Sequence, residues 1–529
     1  MSSNSLDPEK AVSSAASTSP VPETHDVAMV PAKGDEGGFE LGISSVVVTT
    51  DVDGLHIVLR PAPVRADPLD PLNWPLWRKY TCIAIACYSY FLLTYLTTAP
   101  VPSFFLLEDQ FNASYEQTNW TFAISAFGLI FGPLLTAGLG ETYGRRICLL
   151  VSTAVALLAS GCTSIRTQNI SAYMFERFLQ GLGAGSACNL GLSIINDLSF
   201  EHERGLRVGL WALSANVGTL LGGVFGGLIV AVNQFWVAYH VTIAFGVLLL
   251  LIIFVLPETH YPRKYMLRME AEGTLASVEG LPRTRTLPYF NLKKIPEVHH
   301  AKFWTPWIVV FKLWAYPNIV LSIMAYVFGQ YWWIVAITTM EPLAYEEHSP
   351  QIQGVLFIGL LVGVLFAEAF CSGHMTDKLV LRLAARNNNK RTPEMRLWLG
   401  LPATVISGVG CILWGISVER NWHWAVGQVA FFLYALGLQI GNTVVSAYMV
   451  DNYPSSANEL SVFYGCIINM SAFLVPWFIA DWVERDNYTW TFSVQGIFCF
   501  VLVIPAYVIL LKFGQRWWKP ARFGSIDLS

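Results

Sequence analysis

The feature that most constrains this chain is a series of apolar runs, each about 20 residues long, the length a helix needs to cross a hydrocarbon layer about 30 Å thick. Twelve can be read, near 80–101, 118–139, 147–165, 170–195, 208–230, 236–256, 316–340, 351–372, 397–418, 424–448, 460–480 and 490–511. In lipid a backbone must satisfy its own polar groups, so runs of this kind become helices. Composition agrees: 13% of residues are charged and the mean hydropathy is +0.46, against roughly 25% charged in a soluble chain. The sequence predicts an all-α membrane protein with twelve spans.

The spans divide six and six, which gives the domain plan. Residues 1–66 are rich in Ser, Thr, Pro, Glu and Ala, lack the apolar core of a signal peptide, and read as a disordered tail. Residues 67–256 form the first six-helix half, 257–305 a polar central loop, 306–512 the second half and 513–529 a short tail. DPLDPLNWPLWRKY, Asp67 to Tyr80, brings Trp74, Trp77, Arg78 and Lys79 to the membrane interface ahead of the first span. The fifth and sixth spans share one uncharged stretch, divided at Asn233 and Gln234 in AVNQFWVAYH.

Basic residues set the orientation. Of 33 Lys and Arg, 28 fall on the side of the termini and three, Arg166, Arg420 and Arg485, on the other, leaving Arg177 and Lys312. This predicts cytoplasmic N- and C-termini. The sequons at Asn112, Asn169 and Asn487 all fall in predicted outer loops, as glycosylation requires.

Two turns carry the same chemistry. AGLGETYGRRICLL, between the second and third spans, holds Glu141, Gly144, Arg145 and Arg146; SGHMTDKLVLRLAAR, between the eighth and ninth, holds Gly373, Asp377 and Lys378. Small residue, spacers, carboxylate and cation recur at the equivalent place in each half, an internal repeat of the type from which alternating-access transporters are built. A carboxylate there can meet the positive end of a helix or a basic residue in one state and not in another, which makes a conformational latch. Read blandly, both are ordinary basic turns.

Other chemistry is absent from the pattern. The nine cysteines lie in or at the end of apolar runs, with no CxxC and no Cys/His spacing for a metal, so no metal or cofactor is expected. No GxxxxGK[ST] loop and no Ser/His/Asp pattern stands out, so the chain reads as neither an ATP-driven pump nor an enzyme, and no nucleic-acid partner is expected.

These motifs resemble the major facilitator superfamily, within its fungal drug:proton antiporter-like branch, over residues 67 to 515. The turn after the second span is similar to that family's G-x-L-x-D-R-x-G-R-R, with Ala137, Glu141 and Thr142 standing for Gly, Asp and Arg. DPLNWPLWRKY, LPETHYPRK and AYMVDNYPSSANELSVFYGCIINMSAFLVPW also resemble the branch and its polyamine and multidrug members. In NVGTLLGGVFGGLIV, Gly218, Gly222, Gly226 and Gly227 resemble the antiporter motif G-x-x-x-G-P-x-x-G-G, with Gly223 at the Pro, and also suit plain close packing.

The resemblance implies a cavity lined by the first, fourth, seventh and tenth spans. RFLQGLGAG places Arg177 in the fourth, where an embedded cation needs a partner. Three roles compete: contact with a polar substrate, tuning of a nearby carboxylate during proton coupling, or a lock on backbone carbonyls of the first or second span. Glu368, in GVLFAEAFCSG, could exchange a proton, attract a cation, or simply reach the interface. Candidate cavity faces are Tyr88, Phe91 and Tyr95; Tyr326, Gln330 and Trp333; and Gln439, Asn442, Thr443 and Ser446.

The expected activity is secondary active transport: proton-coupled efflux of a drug, toxin or secondary metabolite, by a monomer in the plasma membrane, with a small molecule, protons and lipid as partners. An importer of polyamines or organic acids shares the fold and most motifs. A non-transporting sensor would be expected to have a longer signalling tail.

Overall fold

A computed structural model describes residues 48–50, 56–58, 61–64, 67–271, 304–387, 392–453 and 456–519; for 48–50, 56–58, 201, 202, 205, 264, 265, 269, 271, 305, 306, 372–374, 377, 457 and 458 only the backbone is described. The chain separates into two units, Met1–Ala62 and Pro63–Ser529. In the first, strands β1 (Val48–Thr50) and β2 (His56–Val58) pair antiparallel, Val48 opposite Val58, in a stretch expected to be a structureless tail.

Among its described residues the second unit holds twelve helices long and apolar enough to cross a membrane: α1 (Leu76–Phe111), α2 (Tyr115–Tyr143), α3 (Arg145–Cys162), α4 (Ile170–Leu198), α5 (Leu206–Val230), α6 (Trp236–Phe254), α7 (Pro317–Ala344), α8 (Pro350–Cys371), α9 (Pro393–Glu419), α10 (Trp424–Asn452), α11 (Glu459–Trp477) and α12 (Ile479–Trp517). An even number returns the second terminus to the side of the first. That side is called here the terminal end and the opposite side the distal end.

The boundaries follow local chemistry. Ser114 and Gln117 form a reciprocal capping box at the start of α2, and the Asn169 side-chain carbonyl caps α4. Asn233 accepts from the Phe235 amide and makes the turn between α5 and α6. Asn487, at φ 64°, breaks α12, so a short distal helix precedes the span proper. Three π-helical stretches interrupt the second half: Val327–Tyr331 in α7, Ala367–Ser372 in α8 and Cys499–Val503 in α12. Each inserts about one residue into the 3.6-residue period and rotates the rest of its helix.

The tail ends earlier than expected. Val64 is fully buried, and its amide donates to Asp70 Oδ2 at 2.9 Å. Asp70 also accepts from Leu72 N at 3.0 Å and Arg263 Nη2 at 3.1 Å. The Tyr261 hydroxyl donates to Asp67 Oδ2 at 2.5 Å, and burial with that carboxylate pushes the hydroxyl's pKa up. DPLDPLNW is therefore docked onto the segment after α6. The region read as a central loop also contains a helix, Arg263–Ala271, and a second, Thr305–Leu313, begins at its last residue.

One apolar core fills the first half, from Trp74 to Leu256. The core of the second half continues into Val101, Phe104, Phe122, Leu220 and Val224 of the first, all toward the distal end. There the Tyr115 hydroxyl donates to the Thr339 carbonyl at 2.7 Å, Trp120 stacks on Trp477 at 4.7 Å, and Phe127 meets Phe473 at 5.0 Å. The distal end is closed.

The α5 glycines make this closure possible. Gly218, Gly222 and Gly226 lie against α1, where added Cβ atoms would meet the backbone at Phe91, Tyr95 and Ala99. Gly227 faces Pro350 O and Gly354 of α8, and Gly223 faces the Phe357 ring. One stripe therefore does two jobs: three of its glycines pack within a half, and two pack between halves.

Candidate functional site

A chain of three polar side chains crosses from one half to the other. Asn216 on α5 donates through Nδ2 to Gln439 Oε1 on α10 at 2.5 Å, and Gln439 Nε2 donates to Glu368 Oε2 on α8 at 2.8 Å. The order is fixed by chemistry. The carboxyl oxygen accepts, so the Gln439 NH₂ faces it and the amide oxygen is left for Asn216. Glu368 sits in the π-helical stretch Ala367–Ser372, and Gly209 of α5 lies beside it, an added Cβ falling 3.6 Å from Oε1.

Aromatic rings come from both halves nearby. Tyr90 of α1 stacks on Trp211 of α5 with centroids 4.1 Å apart and planes 9° apart, and its hydroxyl faces Cys188 Sγ of α4 at 3.9 Å. Tyr331 and Tyr464 of the second half lie within electrostatic reach of Tyr90. Tyr464 donates to Asn442 Oδ1 at 2.6 Å, and Tyr326 stands 6.3 Å from both Tyr331 and Tyr464. Carboxylate, amides and ring faces are what a compact site needs to hold an organic molecule with a polar or cationic end.

The expected face on α10 is present: Gln439 and Asn442 both join this region. Of the other two faces, Tyr326 stands beside Tyr331 and Tyr464 in this region, while Tyr88, Tyr95, Gln330 and Trp333 point elsewhere. The Tyr88 hydroxyl donates to Ala244 O at 3.3 Å and Tyr95 meets His240 Nε2 at 2.9 Å, so both are turned to α6. Gln330 donates to Ser407 Oγ of α9 at 2.7 Å, and Trp333 packs against Trp482 and Phe498 inside the second half. The π-helical stretch before Trp333 breaks the period on which that face was drawn. On α1 the face was drawn one strip too far round, and Tyr90 is the ring that turns inward.

Arg177 is buried and adopts the third of its three possible roles. Nη1 donates to Leu96 O at 2.8 Å and Gln180 Oε1 at 2.6 Å, and Nη2 to Thr97 O at 3.3 Å. Pro100 has no N–H, and α1 changes to a 3₁₀ turn at Val101–Ser103, which leaves carbonyls of the preceding turn free. Arg177 fills that gap and locks α4 to α1.

The turn between α2 and α3 is held within its own half. The carboxylate at the head of α3 is Glu258, not Glu141: it accepts from Arg145 N at 2.9 Å and Arg146 N at 3.1 Å. Gly144, at φ 102°, gives it room, since a Cβ there would collide with Glu258. Arg145 pairs with Asp197 at the end of α4, and Arg146 donates to Ile252 O and Ile253 O at the end of α6. In the second half Arg396 pairs with Asp451 at 2.5 Å, the same relation between the head of α9 and the end of α10. Gly373, Asp377 and Lys378 lie on the helix Gly373–Arg386; the side chain of Asp377 is outside the described residues. Asn112, Asn169 and Asn487 are exposed at the distal end.

Asn216, Tyr90, Trp211, Tyr464, Asp197 and Glu258 were not singled out from the sequence. LPETHYPRK and AYMVDNYPSS were visible as motifs, but which carboxylate meets which helix end is a tertiary matter.

Two six-helix halves, packed together at the distal end and joined between their helices by a polar bridge, define a secondary transporter that works by alternating access. The chain belongs to the Major Facilitator Superfamily, whose family model matches residues 86–476. It is similar to "Uncharacterized transporter C1529.01" of Schizosaccharomyces pombe, 27% identical over 85% of this chain and 91% of that one. It is also similar to "Probable drug/proton antiporter YHK8" of Saccharomyces cerevisiae, 24% identical over 85% of this chain and 87% of the relative. Among solved structures, the xylose transporter XylE from E. coli in a partially occluded inward open conformation has a TM-score of 0.60 at 16% identity. It covers 83% of this chain and 98% of its own. These matches place the chain with the fungal drug-transporter-like members of a family of transporters, not enzymes.

Proposed function

We propose that this protein exports small organic compounds, driven by proton entry, with its termini in the cytoplasm of a cell whose plasma membrane it spans as a monomer. The observation that carries the reading is the Asn216–Gln439–Glu368 bridge, which joins the two halves beside the Tyr90, Trp211, Tyr331 and Tyr464 rings. A substrate bearing an amine would compete with Gln439 for Glu368, and a flat apolar body would lie on the rings. Competition for the bridge gives the two halves a reason to separate when substrate or proton arrives. The basic residues at the terminal end support the orientation, and similarity to a relative named as a drug/proton antiporter supports export.

The test is accumulation of labelled compounds in a transporter-depleted yeast expressing the chain, at two external pH values. Its panel holds cationic planar aromatics, polyamines and organic acids. Lower accumulation of one class, abolished by a protonophore and by Glu368→Gln, is the expected result. Higher accumulation means import, and equal rates at both pH values sink proton coupling.

A further inference from the structure

A second carboxylate has no part in that bridge. Glu341, on α7, is fully buried, and among the described residues neither of its carboxyl oxygens has a donor within hydrogen-bond distance. It sits inside the distal closure. Two residues before it, Thr339 O accepts from Tyr115 of the opposite half; one residue after it, Pro342 O accepts from Gln353 Nε2 of α8 at 3.2 Å. The ionisable groups facing Glu341 are Tyr115 from α2, Tyr345 just after α7 and Tyr488 from α12. Glu108 faces Tyr115, Glu346 faces Tyr488, and His348 lies edge-on to Tyr345 at 6.1 Å. No Lys or Arg is among them.

Burying a charged carboxylate with neither a hydrogen-bond donor nor a counter-ion costs several kcal/mol, and burying the neutral acid avoids that cost. We propose that Glu341 is a proton-binding site that controls the distal gate. While the gate is open, hydronium in the distal water gives up a proton: its O–H bond breaks and leaves water, and an O–H bond forms on the Glu341 carboxylate. The neutral side chain can then be buried and the gate can shut. Loss of the proton restores a charge that is stable only when wetted, and the gate reopens. A proton supplied at the distal side therefore returns the empty carrier to the state that faces the terminal end. The inference rests on alternating access alone and not on the substrate, on export, or on Glu368.

The experiment uses the full chain in lipid nanodiscs without substrate, in a cysteine-free background. Spin labels at Asn112→Cys and Glu347→Cys, both exposed and on opposite halves at the distal end, report the gate by their separation at about pH 5 and about pH 9. The wild type is expected to give one short distance at acid pH and a growing longer population at alkaline pH. Glu341→Gln, a permanent mimic of the neutral acid, stays short at both, and Glu341→Met reads the same way if Gln is poorly accommodated. Glu341→Asp and His348→Asn keep the shift. Infrared spectra at acid pH should also show a protonated-carboxyl stretch that Glu341→Gln lacks. A wild-type distance that does not move with pH, or a Glu341→Gln protein that moves like the wild type, overturns the proposal. So does loss of the shift in His348→Asn with its retention in Glu341→Gln. The assay contains no substrate, so failure of the export reading would leave this result untouched.

Discussion

Gln439 donates to Glu368 at 2.8 Å while accepting from Asn216 at 2.5 Å, so one amide links three helices and both halves of the molecule. A hydrogen bond to a charged group is worth about 1.5–3 kcal/mol, and removing one partner leaves the other unsatisfied. Gln439→Ala should therefore change the balance between transporter states by roughly 10- to 100-fold without unfolding the chain. Transport rate against thermal stability in one detergent checks this: a fall in both together would make the bridge merely structural.

Arg177 behaves differently because its partners are backbone carbonyls. Arg177→Ala abandons the Leu96 and Thr97 oxygens in a place without water and should cost about 1–3 kcal/mol of stability. Arg177→Lys keeps a charge but not the fork of donors, and should fall between. Thermal unfolding measures both. A transport defect at full stability would return Arg177 to the substrate pathway.

Gly144 and Glu258 make a paired prediction. Gly144→Ala puts a Cβ into the carboxylate and strains a φ of 102°, so it should destabilise the first half more than Glu258→Gln, which still offers one acceptor to the head of α3. The loss for Glu258→Gln should be about 1 kcal/mol. Equal unfolding midpoints for the two variants would contradict this account.

Arg396 and Asp451 are partly solvated, with 20% and 38% of their side chains exposed. Such a pair contributes about 0.2–1 kcal/mol, so Asp451→Asn should barely change the unfolding midpoint. Its effect should appear in rates of state exchange, read by the distal label pair, and high salt should shrink it. A large stability loss would mean that the pair holds the fold.

Gly227 tests the closed end. Gly227→Leu forces α5 away from Gly354 and should hold the halves apart distally while the separate core of the first half stays intact. Maleimide labelling of a distal cysteine should rise several-fold, with normal expression. Unchanged labelling would show that closure tolerates the wedge.

Read without the structure, the sequence carried the twelve spans, their division six and six, the side to which the basic residues fall, the close-packing glycines, and Glu368, Gln439 and Asn442 as candidate positions. These depend on local quantities: the length of an apolar run, the residues at a helix end, and the periodicity of one regular helix. Long-range packing settled which carboxylate caps which helix, that Arg177 serves carbonyls freed by Pro100, that Tyr90 and not Tyr88 or Tyr95 turns inward, and that Trp333 turns away. Each of those outcomes depends on a neighbour distant in sequence or on a π-helical insertion that rotates everything after it. Glu341 is the extreme case: it reads as an ordinary acid near a helix end, and only the packing of α2, α8 and α12 around it leaves it buried with no hydrogen-bond partner among the described residues.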